Sequence, residues 1–393
     1  RSAAERARPA VAGDAGERPR PAKTVVVLGS VARSLVNFRG PMLQAMALHG
    51  HRVIACAPDA APSIVQTLAG LGVGYRDVPI DAQGLRPWRD LRALRALVRL
   101  LRELRPDAVL GYTIKPVIYG SIAARLARVP ASYSMITGLG YAFGGSGAKR
   151  GLVALLARAL YRISVRRNRR VFFQNRDDRA VFERLGLTRG PDQAVMINGS
   201  GVDLDHFRPR PLPEQMAFLL IARLLREKGV PEFVAAARLV RQRHPDVRFR
   251  VVGRFDHNPS ALAPAEMERW VAAGAIEFLG ELDDVRPAIA ASSVFVLPSY
   301  YREGTPRTVL EAMSMGRPII TTDVPGCRET VHAGVNGYLV PARDVAALAR
   351  AMLKFIEVPE RVARMGAASR RIAEERYDVH KVNAVILKAM DLS

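Results

Sequence analysis

An α/β fold with two doubly wound parallel sheets is predicted from three features of this sequence. Short apolar runs that suit buried parallel strands alternate with segments of helical periodicity. The alternation occurs twice along the 393 residues, a length sufficient for two or three domains. A stretch rich in Pro and charge, residues 203–213 (DLDHFRPRPLP), separates the two series and is typical of a linker.

The first series follows a tail, residues 1–22, which holds Pro, Gly, Ala and Arg without an apolar period and is predicted to be disordered. A first domain is expected over residues 23–202, with helices at 40–49 and 87–104. Its predicted strands are short apolar runs: 24–29, 52–57, 107–112, 132–136, 171–174 and 195–197.

The second series predicts another domain over residues 214–375, followed by a C-terminal helix, 376–393, that packs back on the first domain. Its predicted strands are again apolar runs: 218–222, 249–253, 276–279, 294–298, 318–321 and 337–340. Because ligands of open parallel sheets bind beyond the carboxyl ends of the strands, we expect the site in the cleft between the domains.

Composition excludes several classes of protein. With 49% hydrophobic and 24% charged residues, the chain suits a soluble globular protein, and no window holds the ~18 uninterrupted apolar residues of a membrane-spanning helix. Two cysteines are too few for a disulfide framework or a Cys-rich zinc site. The net charge of +22 favours a polyanionic partner: nucleic acid, anionic lipid or a phosphorylated small molecule.

The most informative motif is the segment 301–326 (YREGTPRTVLEAMSMGRPIITTDVPG), in which seven residues separate Glu303 from Glu311. The Gly-Thr-Pro string predicts a turn and a helix that begins near Arg307, with Glu303 ahead of the helix and Glu311 about one turn inside it. Free backbone N–H groups at the helix start suit phosphate oxygens, and Glu311 suits ribose hydroxyls. Acids that merely complement a helix dipole are the alternative explanation.

This segment resembles the Glu-x7-Glu signature of glycosyltransferase family 4, retaining enzymes whose GT-B fold has two Rossmann-like domains facing across a cleft. Further strings match the family in order, and the match is dense over residues 217–345. These strings are ARL and EKG at 222–224 and 227–229, VVG at 251–253, FLG at 278–280, DDV at 283–285, FVLPS at 295–299 and NGYLV at 336–340.

Carried over to this chain, the resemblance implies a donor site for a nucleotide sugar. Glu303 would contact the donor sugar, and Glu311 would bind the ribose. Thr308 and Val309 would offer backbone N–H groups to phosphate. Gly40, after the first strand, would let the backbone approach the donor closely, although an ordinary Gly-Pro helix start explains it equally well.

The resemblance also implies that Arg223 and Lys228 hold the donor diphosphate. Two cations at a strand end and at the next helix start can neutralise a leaving diphosphate, so we predict catalytic roles for Arg223, Lys228 and Glu303. No Asp pair stands in the context of a metal site, and the two cations are expected to replace a divalent ion. The enzyme is therefore predicted to need no metal or other cofactor.

The first domain is expected to bind the acceptor. Its strings at 36–41, 113–120 and 136–141 look like the subgroup that builds lipid-linked polysaccharide, such as O-antigen or capsule, where the acceptor is a sugar on undecaprenyl diphosphate. We predict acceptor contacts from Lys115, Thr137 and Gly138. Many family members carry a His on the loop after 132–136, which is absent here, and Thr137 or the loop backbone is expected to take its place.

Part of the positive charge is concentrated between Lys149 and Arg170, where eight cations and no acid accompany apolar residues at helical spacing. Such a helix can lie on an anionic membrane, and a lipid-linked acceptor favours that interpretation over a core-packed helix with a solvated face. For the similar segment 85–105 we favour the core-packed helix, because the βαβ order requires one there. Scarce aromatic residues beside the basic runs argue against nucleic acid.

We therefore predict a retaining glycosyltransferase that moves a hexose or N-acetylhexosamine from a UDP-sugar to a lipid-diphosphate-linked saccharide. It would act in surface polysaccharide synthesis, in the cytoplasm, as a peripheral protein on the inner face of the cytoplasmic membrane. A UDP-sugar 2-epimerase of the same fold and a basic nucleic-acid-binding protein are the alternatives. An NAD-dependent oxidoreductase is excluded because no GxGxxG string follows the first strand of either domain.

Overall fold

The computed structural model describes residues 21–81, 86–139, 148–256, 258 and 260–393, and for residues 148–154 it describes the backbone alone. The predicted tail, 1–22, lies outside the described residues except for its last two. The described chain forms two parallel sheets covered by helices, and the α/β prediction is confirmed.

The first sheet, with its helices, forms the N-terminal domain. Its seven parallel strands have the order β3-β2-β1-β4-β5-β6-β7. The strands are β1 Thr24–Leu28, β2 Arg52–Ala57, β3 Val73–Asp77, β4 Ala108–Tyr112, β5 Ala131–Ile136, β6 Arg170–Phe173 and β7 Ala194–Met196. The helices are α1 Ala32–Asn37, α2 Gly40–Leu48, α3 Pro62–Gly70, α4 Pro87–Leu104, α5 Ile114–Leu126, α6 Ala148–Val165 and α7 Arg176–Arg184.

The second sheet and its helices form the C-terminal domain. Its six parallel strands have the order β10-β9-β8-β11-β12-β13. The strands are β8 Ala217–Ile221, β9 Arg248–Val252, β10 Glu277–Phe278, β11 Val294–Leu297, β12 Ile319–Thr322 and β13 Gly337–Val340. The helices are α8 Val230–Arg241, α9 Pro264–Ala272, α10 Arg286–Ala290, α11 Arg307–Ser314, α12 Val345–Glu357 and α13 Glu360–Ile372.

Burial on both faces explains the apolar central strands. In β1, Val26 pairs in register with Ile54 of β2 and with Val109 of β4, and all three are nearly inaccessible to solvent. Strands covered by helices on both faces carry no polar alternation. The strand order reverses between β1 and β4 and between β8 and β11, so the carboxyl ends of these strands open the crevices where such folds bind ligands.

One strand, β3, was missed by the sequence analysis. Its segment VGYRD buries only Val73, while Arg76 and Asp77 are exposed. β3 is an edge strand that pairs with β2 alone. An edge strand needs little apolar surface, so its sequence lacks the signal by which the other strands were found.

The C-terminal segment returns to the N-terminal domain. After α13 the chain continues as a short π-helix, Ala373–Tyr377, and then as α14, Val379–Ala389, which packs on α2. Ile386 and Met390 are buried in the core cluster that also contains Met46. The two chain crossings between the domains are joined by hydrogen bonds, from Val202 N–H to the Tyr377 carbonyl at 2.7 Å and from Val379 N–H to the Val202 carbonyl at 3.1 Å.

Candidate active site at the interdomain cleft

The loop between β11 and α11 carries Glu303 to the place where the two domains meet. Glu303 precedes α11, which begins at Arg307, and Glu311 lies just over a turn inside the helix. The N-terminal domain holds this loop, because the Thr137 carbonyl accepts a hydrogen bond from Gly304 N–H at 3.1 Å. Glu303 is therefore fixed by contacts from both domains.

Lys228 and Glu303 form an ion pair in the cleft. Lys228 ends a short 3-10 turn after β8, and its Nζ donates to Glu303 Oε2 at 2.6 Å, while Ser299 Oγ donates to Glu303 Oε1 at 2.9 Å. The two charged side chains are only 11% and 15% exposed, and Lys228 Nζ also lies 5.3 Å from the centre of the Tyr301 ring. An ammonium has three N–H donors, so Lys228 can keep Glu303 and still bind a phosphate oxygen.

Arg223 approaches the same place from the end of β8. Its Nη1 donates to Asp256 Oδ2 at 3.0 Å, and the guanidinium remains 40% exposed. Burial raises the pKa of Tyr301, and the positive charge of Arg223 partly opposes that shift. Arg223 and Lys228 thus both lie beside Tyr301, and the two cations converge. Tyr301 opens the motif but was not among the site residues predicted from the sequence.

Glu311 is buried beneath Arg307. Glu311 is 8% exposed, and its Oε1 accepts a hydrogen bond from Arg307 Nε at 2.8 Å. Burial raises the pKa of the Glu311 carboxyl, and the Arg307 charge works in the opposite direction. The Arg307 guanidinium lies 5.5 Å from the ring centre of Phe38 in the N-terminal domain. Thr308 and Val309 belong to the uncapped first turn of α11, where backbone N–H groups have no acceptor within the helix.

Gly138 packs directly on the loop that carries Glu303. Its φ of +111° is unfavourable for residues with a side chain, and a Cβ there would lie 2.8 Å from Glu303 Cα and 2.7 Å from Gly304 N. The structure therefore brings Thr137 and Gly138 together with Glu303 at the domain boundary. Their contact with an acceptor stays a prediction.

Lys115 is placed differently from what the sequence analysis expected. Its Nζ donates to Asp90 Oδ1 of α4 at 2.8 Å, and the two side chains are 10% and 9% exposed. This ammonium already has a buried counter-ion, which links α4 to α5. A buried pair of this kind is unfavourable to break, so the geometry gives Lys115 a structural role rather than a contact to an acceptor diphosphate.

Gly40 has ordinary surroundings within the N-terminal domain, and its contact with a donor stays a prediction. A Cβ on Gly40 would meet Leu71 Cδ1 at 3.6 Å, an ordinary contact inside the N-terminal domain, so no neighbouring protein atom requires glycine at this position. Arg39, which precedes it, is 3% exposed and lies 4.9 Å above the centre of the Tyr112 ring. Arg is the commonest charged residue in this chain, so the residue type alone gave no signal for Arg39.

The basic helix α6 turns apolar side chains towards solvent. Tyr161 and Val165 form its core face, whereas Leu155, Leu156 and Ile163 are 47–63% exposed. Arg158 and Arg162, on the same helix, are also exposed. The side chains of 149–154, which belong to the predicted basic segment, lie outside the description. In contrast, the leucines and the valine of α4 are buried or half-buried against the sheet, as predicted for this segment, and only Trp88 in the first turn is exposed among its large apolar side chains.

An arginine-lined cavity of about 520 Å³ opens beside the C-terminal end of α6. Arg125, Arg167, Arg169 and Arg189 line it, none of its described lining residues is acidic, and Arg169 is paired with Asp391 beside it. Leu126, at its rim, is half-exposed. The surface around α6 therefore combines a predominance of positive charge with exposed apolar groups.

Two further findings concern the described residues only. Among them, no group of three or more His, Cys, Asp or Glu side chains is placed to hold a metal ion. None of the described helices combines the length and the apolar character that spanning a bilayer requires. Independence of a metal stays a prediction.

Two family models match this chain and together cover more than half of it. Residues 215–357 match the model described as "Glycosyl transferases group 1", and residues 39–199 match "Glycosyl transferase 4-like domain". One relative is the N,N'-diacetylbacillosaminyl-diphospho-undecaprenol alpha-1,3-N-acetylgalactosaminyltransferase of Campylobacter jejuni, 27% identical, with 84% of this chain and 88% of the relative aligned. Another is the UDP-Gal:alpha-D-GlcNAc-diphosphoundecaprenol alpha-1,3-galactosyltransferase of Escherichia coli, 26% identical, with 70% and 73% aligned.

Solved structures share the fold over almost the whole chain. Anabaena HepE in complex with UDP and glucose superposes with a TM-score of 0.74 at 19% identity, covering 94% of this chain and 99% of its own. Sucrose-phosphate synthase of Thermosynechococcus elongatus superposes with a TM-score of 0.78 at 16% identity, covering 94% and 98%. At these identities the likeness concerns the fold alone.

Proposed function

Because the chain belongs to glycosyltransferase family 4 and has the GT-B fold, we propose that it transfers a hexose or N-acetylhexosamine from a UDP-sugar to a saccharide on a lipid diphosphate. The Campylobacter and Escherichia coli relatives support this acceptor, since both carry diphospho-undecaprenol or diphosphoundecaprenol in their names. The lipid would then be undecaprenyl diphosphate, and the product would enter surface polysaccharide.

The observation that carries the proposal is that two cations lie beside Tyr301 at the domain boundary and that one of them, Lys228, is paired with Glu303. Lys228 contacts Glu303 at 2.6 Å and lies 5.3 Å from the centre of the Tyr301 ring, and Arg223 interacts with the hydroxyl of the same tyrosine. Cations beside a carboxylate that accepts hydrogen bonds are suited to bind a sugar whose leaving group is a diphosphate. Glu303 would bind the sugar hydroxyls while the cations bind the phosphates.

We propose transfer with retention of configuration, as the family resemblance implies. The bond between the anomeric carbon and the diphosphate oxygen breaks, and its electron pair leaves with UDP. An acceptor hydroxyl oxygen bonds to the same face of that carbon, and its proton passes to the departing phosphate oxygen. Arg223 and Lys228 would stabilise the charge that develops on the diphosphate, without a metal ion.

The surface of α6 supports a position at the inner face of the cytoplasmic membrane. A lipid diphosphate presents its sugar at a bilayer surface, and the enzyme must approach that surface. Exposed Leu155, Leu156 and Ile163 can enter the interface while Arg158 and Arg162 pair with anionic headgroups. The protein would therefore be peripheral, with α6 and the arginine-lined cavity towards the membrane.

The decisive experiment is a screen of radiolabelled UDP-sugars with synthetic undecaprenyl-diphosphate-linked GlcNAc and a membrane-lipid extract as acceptors. We expect one UDP-sugar to give UDP release that depends on acceptor, together with label in the butanol-extracted lipid. An α-linkage in the product, read by NMR, would confirm retention for an α-linked donor. Release of UDP without acceptor would favour the epimerase or hydrolysis, and no turnover with any UDP-sugar would contradict the proposal.

Gly138→Ala is expected to lower kcat at least tenfold, because its Cβ would displace the Glu303 loop. The matched control is Gly186→Ala in the same domain, where φ is +61° and a Cβ would meet nothing within 4 Å. Both positions have a positive φ, but +111° is the more strained for alanine, so the melting temperatures are needed to separate lost stability from the displacement of Glu303, which only Gly138→Ala causes. The measurement is steady-state kinetics together with the melting temperature of each variant. Equal activity in the two variants would show that the loop position does not matter.

Binding to anionic vesicles tests the basic surface. The measurement is co-sedimentation with vesicles of 30% phosphatidylglycerol at low salt. We expect the double variant Arg158→Glu, Arg162→Glu to bind at least tenfold more weakly than the parent chain, because each lost cation removes about 1 kcal/mol of binding free energy. The matched control is Arg95→Glu, Arg99→Glu, which reverses two exposed charges on α4. Equal weakening by both pairs, or equal binding to neutral vesicles, would contradict membrane docking through α6.

A further inference from the structure

Arg39 is a buried cation that lacks an anionic partner in the described part of the chain. The side chain is 3% exposed, and its Nε is closed to solvent without a hydrogen-bond acceptor. Burial lowers the pKa of Arg39 to about 10, so the group is charged at neutral pH. A buried charge without a partner is strongly unfavourable, which makes this position unlike the paired Lys115 and Lys228.

Tyr112 supplies a surface for the guanidinium but no negative charge. The Arg39 guanidinium lies over the ring at 4.9 Å, and the hydroxyl of Tyr112 is 2.7 Å from Ser34 Oγ. Burial raises the pKa of Tyr112, so the phenol is neutral. Gly29, at the end of β1, gives the ring its room, because a Cβ there would lie 2.7 Å from Tyr112 Cζ. The protein thus holds Arg39 in place and leaves its charge uncompensated.

Arg39 lies at the crevice where the first sheet reverses its strand order. Tyr112 ends β4, and the next residue, Thr113, has a φ of +66°, rare for a β-branched side chain. Ser30, just after β1, forms a hydrogen bond with Thr113, and their hydroxyl oxygens are 2.9 Å apart. From the C-terminal domain, Arg307 is near enough for its charge to lower the pKa of Arg39 further. Arg307 also lies 5.5 Å from the ring centre of Phe38, the residue before Arg39, so a second guanidinium is close to Arg39 at the domain boundary.

From this geometry we infer that Arg39 binds a phosphoryl oxygen of a substrate diphosphate, an inference that rests on the proposed function. A diphosphate between the domains would supply the anion that Arg39 lacks and would offset its repulsion with Arg307. The planar guanidinium can donate two parallel N–H groups to one phosphate. The phosphate comes from the UDP-sugar or from the lipid diphosphate, and both present the same chemistry to Arg39.

Binding measurements separate these two sources. Arg39→Gln is compared with Arg52→Gln, which removes one exposed charge near the amino end of the same sheet. Dissociation constants are measured for inorganic pyrophosphate, UDP, and undecaprenyl diphosphate in detergent. We expect Arg39→Gln to bind pyrophosphate at least tenfold more weakly, and Arg52→Gln to stay within twofold of the parent chain. A parallel loss for UDP assigns Arg39 to the donor, and a loss for undecaprenyl diphosphate alone assigns it to the acceptor.

Stability and a conservative variant exclude a merely structural role. Removing an unpaired buried charge is expected to leave the melting temperature of Arg39→Gln equal to that of the parent chain or higher. Arg39→Lys keeps the charge but lacks the two parallel N–H donors of the guanidinium, and we expect it to bind pyrophosphate three- to tenfold more weakly than the parent chain. If Arg39→Gln is folded and binds pyrophosphate, UDP and undecaprenyl diphosphate as tightly as the parent chain, the inference is overturned. If Arg39→Gln is unfolded, the test passes to Arg39→Lys, and an unchanged affinity for pyrophosphate in that variant would overturn the inference. Pyrophosphate binding that depends on Arg39, without turnover of any UDP-sugar, would refute the proposed function alone.

Discussion

Lys228→Ala is expected to lower kcat/KM for the UDP-sugar by about 10²–10³-fold, the usual effect of removing one group that stabilises developing negative charge. Two consequences add here. The departing diphosphate loses a cation, and Glu303, only 15% exposed, loses the partner that its Oε2 contacts at 2.6 Å. An uncompensated carboxylate at the position of the sugar would also repel the phosphates. Initial rates of UDP release at varied donor concentration measure the effect.

Arg226→Ala is the matched control for Lys228→Ala. Arg226 lies in the same short turn, and its Nη2 is paired with Glu266 at 2.6 Å, where the guanidinium is half-exposed. Its removal deletes one cation and one ion pair without touching Glu303, so we expect a change below threefold. Lys228→Arg keeps the charge and is expected to retain more activity than Lys228→Ala. A Lys228→Ala enzyme within threefold of the parent chain would remove Lys228 from the mechanism.

Glu311→Ala is expected to weaken UDP binding by about 10- to 100-fold, because a hydrogen bond to a charged group contributes about 1.5–3 kcal/mol. The buried carboxylate would accept hydrogen bonds from the ribose, and its loss also frees Arg307. The matched control is Glu183→Ala, which removes an i,i+4 pair of the same kind, between Glu183 and Arg179, from α7. Calorimetry with UDP compares the variants. Equal affinities in both would place the ribose elsewhere.

The pH dependence of UDP binding gives a second test of Glu311. Burial raises the pKa of Glu311 and Arg307 opposes it, so Arg307→Ala raises that pKa further. Since the ionised carboxylate is the better acceptor, UDP affinity falls as pH decreases through this pKa. The fall is therefore expected at higher pH in Arg307→Ala than in the parent chain. A midpoint that does not move, or that moves to lower pH, would show that Glu311 is not the titrating ligand.

The fold could be predicted from the sequence wherever burial leaves an apolar run. Strands such as β1 and β8 are covered on both faces and show it, whereas the edge strand β3 buries only Val73 and was missed. The loop and helix around Glu303 and Glu311 could also be predicted, because the turn residues and the helix start are local signals. Partners across the cleft could not be predicted, since no local pattern records them.

The ion-pair partners of charged residues could not be predicted from the sequence. Lys115 and Arg39 both follow strands of the N-terminal domain, and the sequence singled out Lys115 because lysine is rare in this chain. In the structure Lys115 is paired with Asp90, 25 residues away along the chain, whereas among the described residues Arg39 contacts the face of Tyr112 and no acid. Whether a cation is available to a ligand depends on its counter-ion and its burial.

The sequence by itself determined the two-domain α/β architecture, the family and the local geometry that places Glu303 before α11 and Glu311 within it. These features follow from short-range periodicity and turn chemistry, which each segment carries alone. The tertiary structure decided that Lys228 meets Glu303, that Gly138 packs against the Glu303 loop and that Arg39 has no acidic partner among the described residues. Electrostatic pairing and burial arise from contacts between segments far apart in the chain, so only the folded molecule determines them.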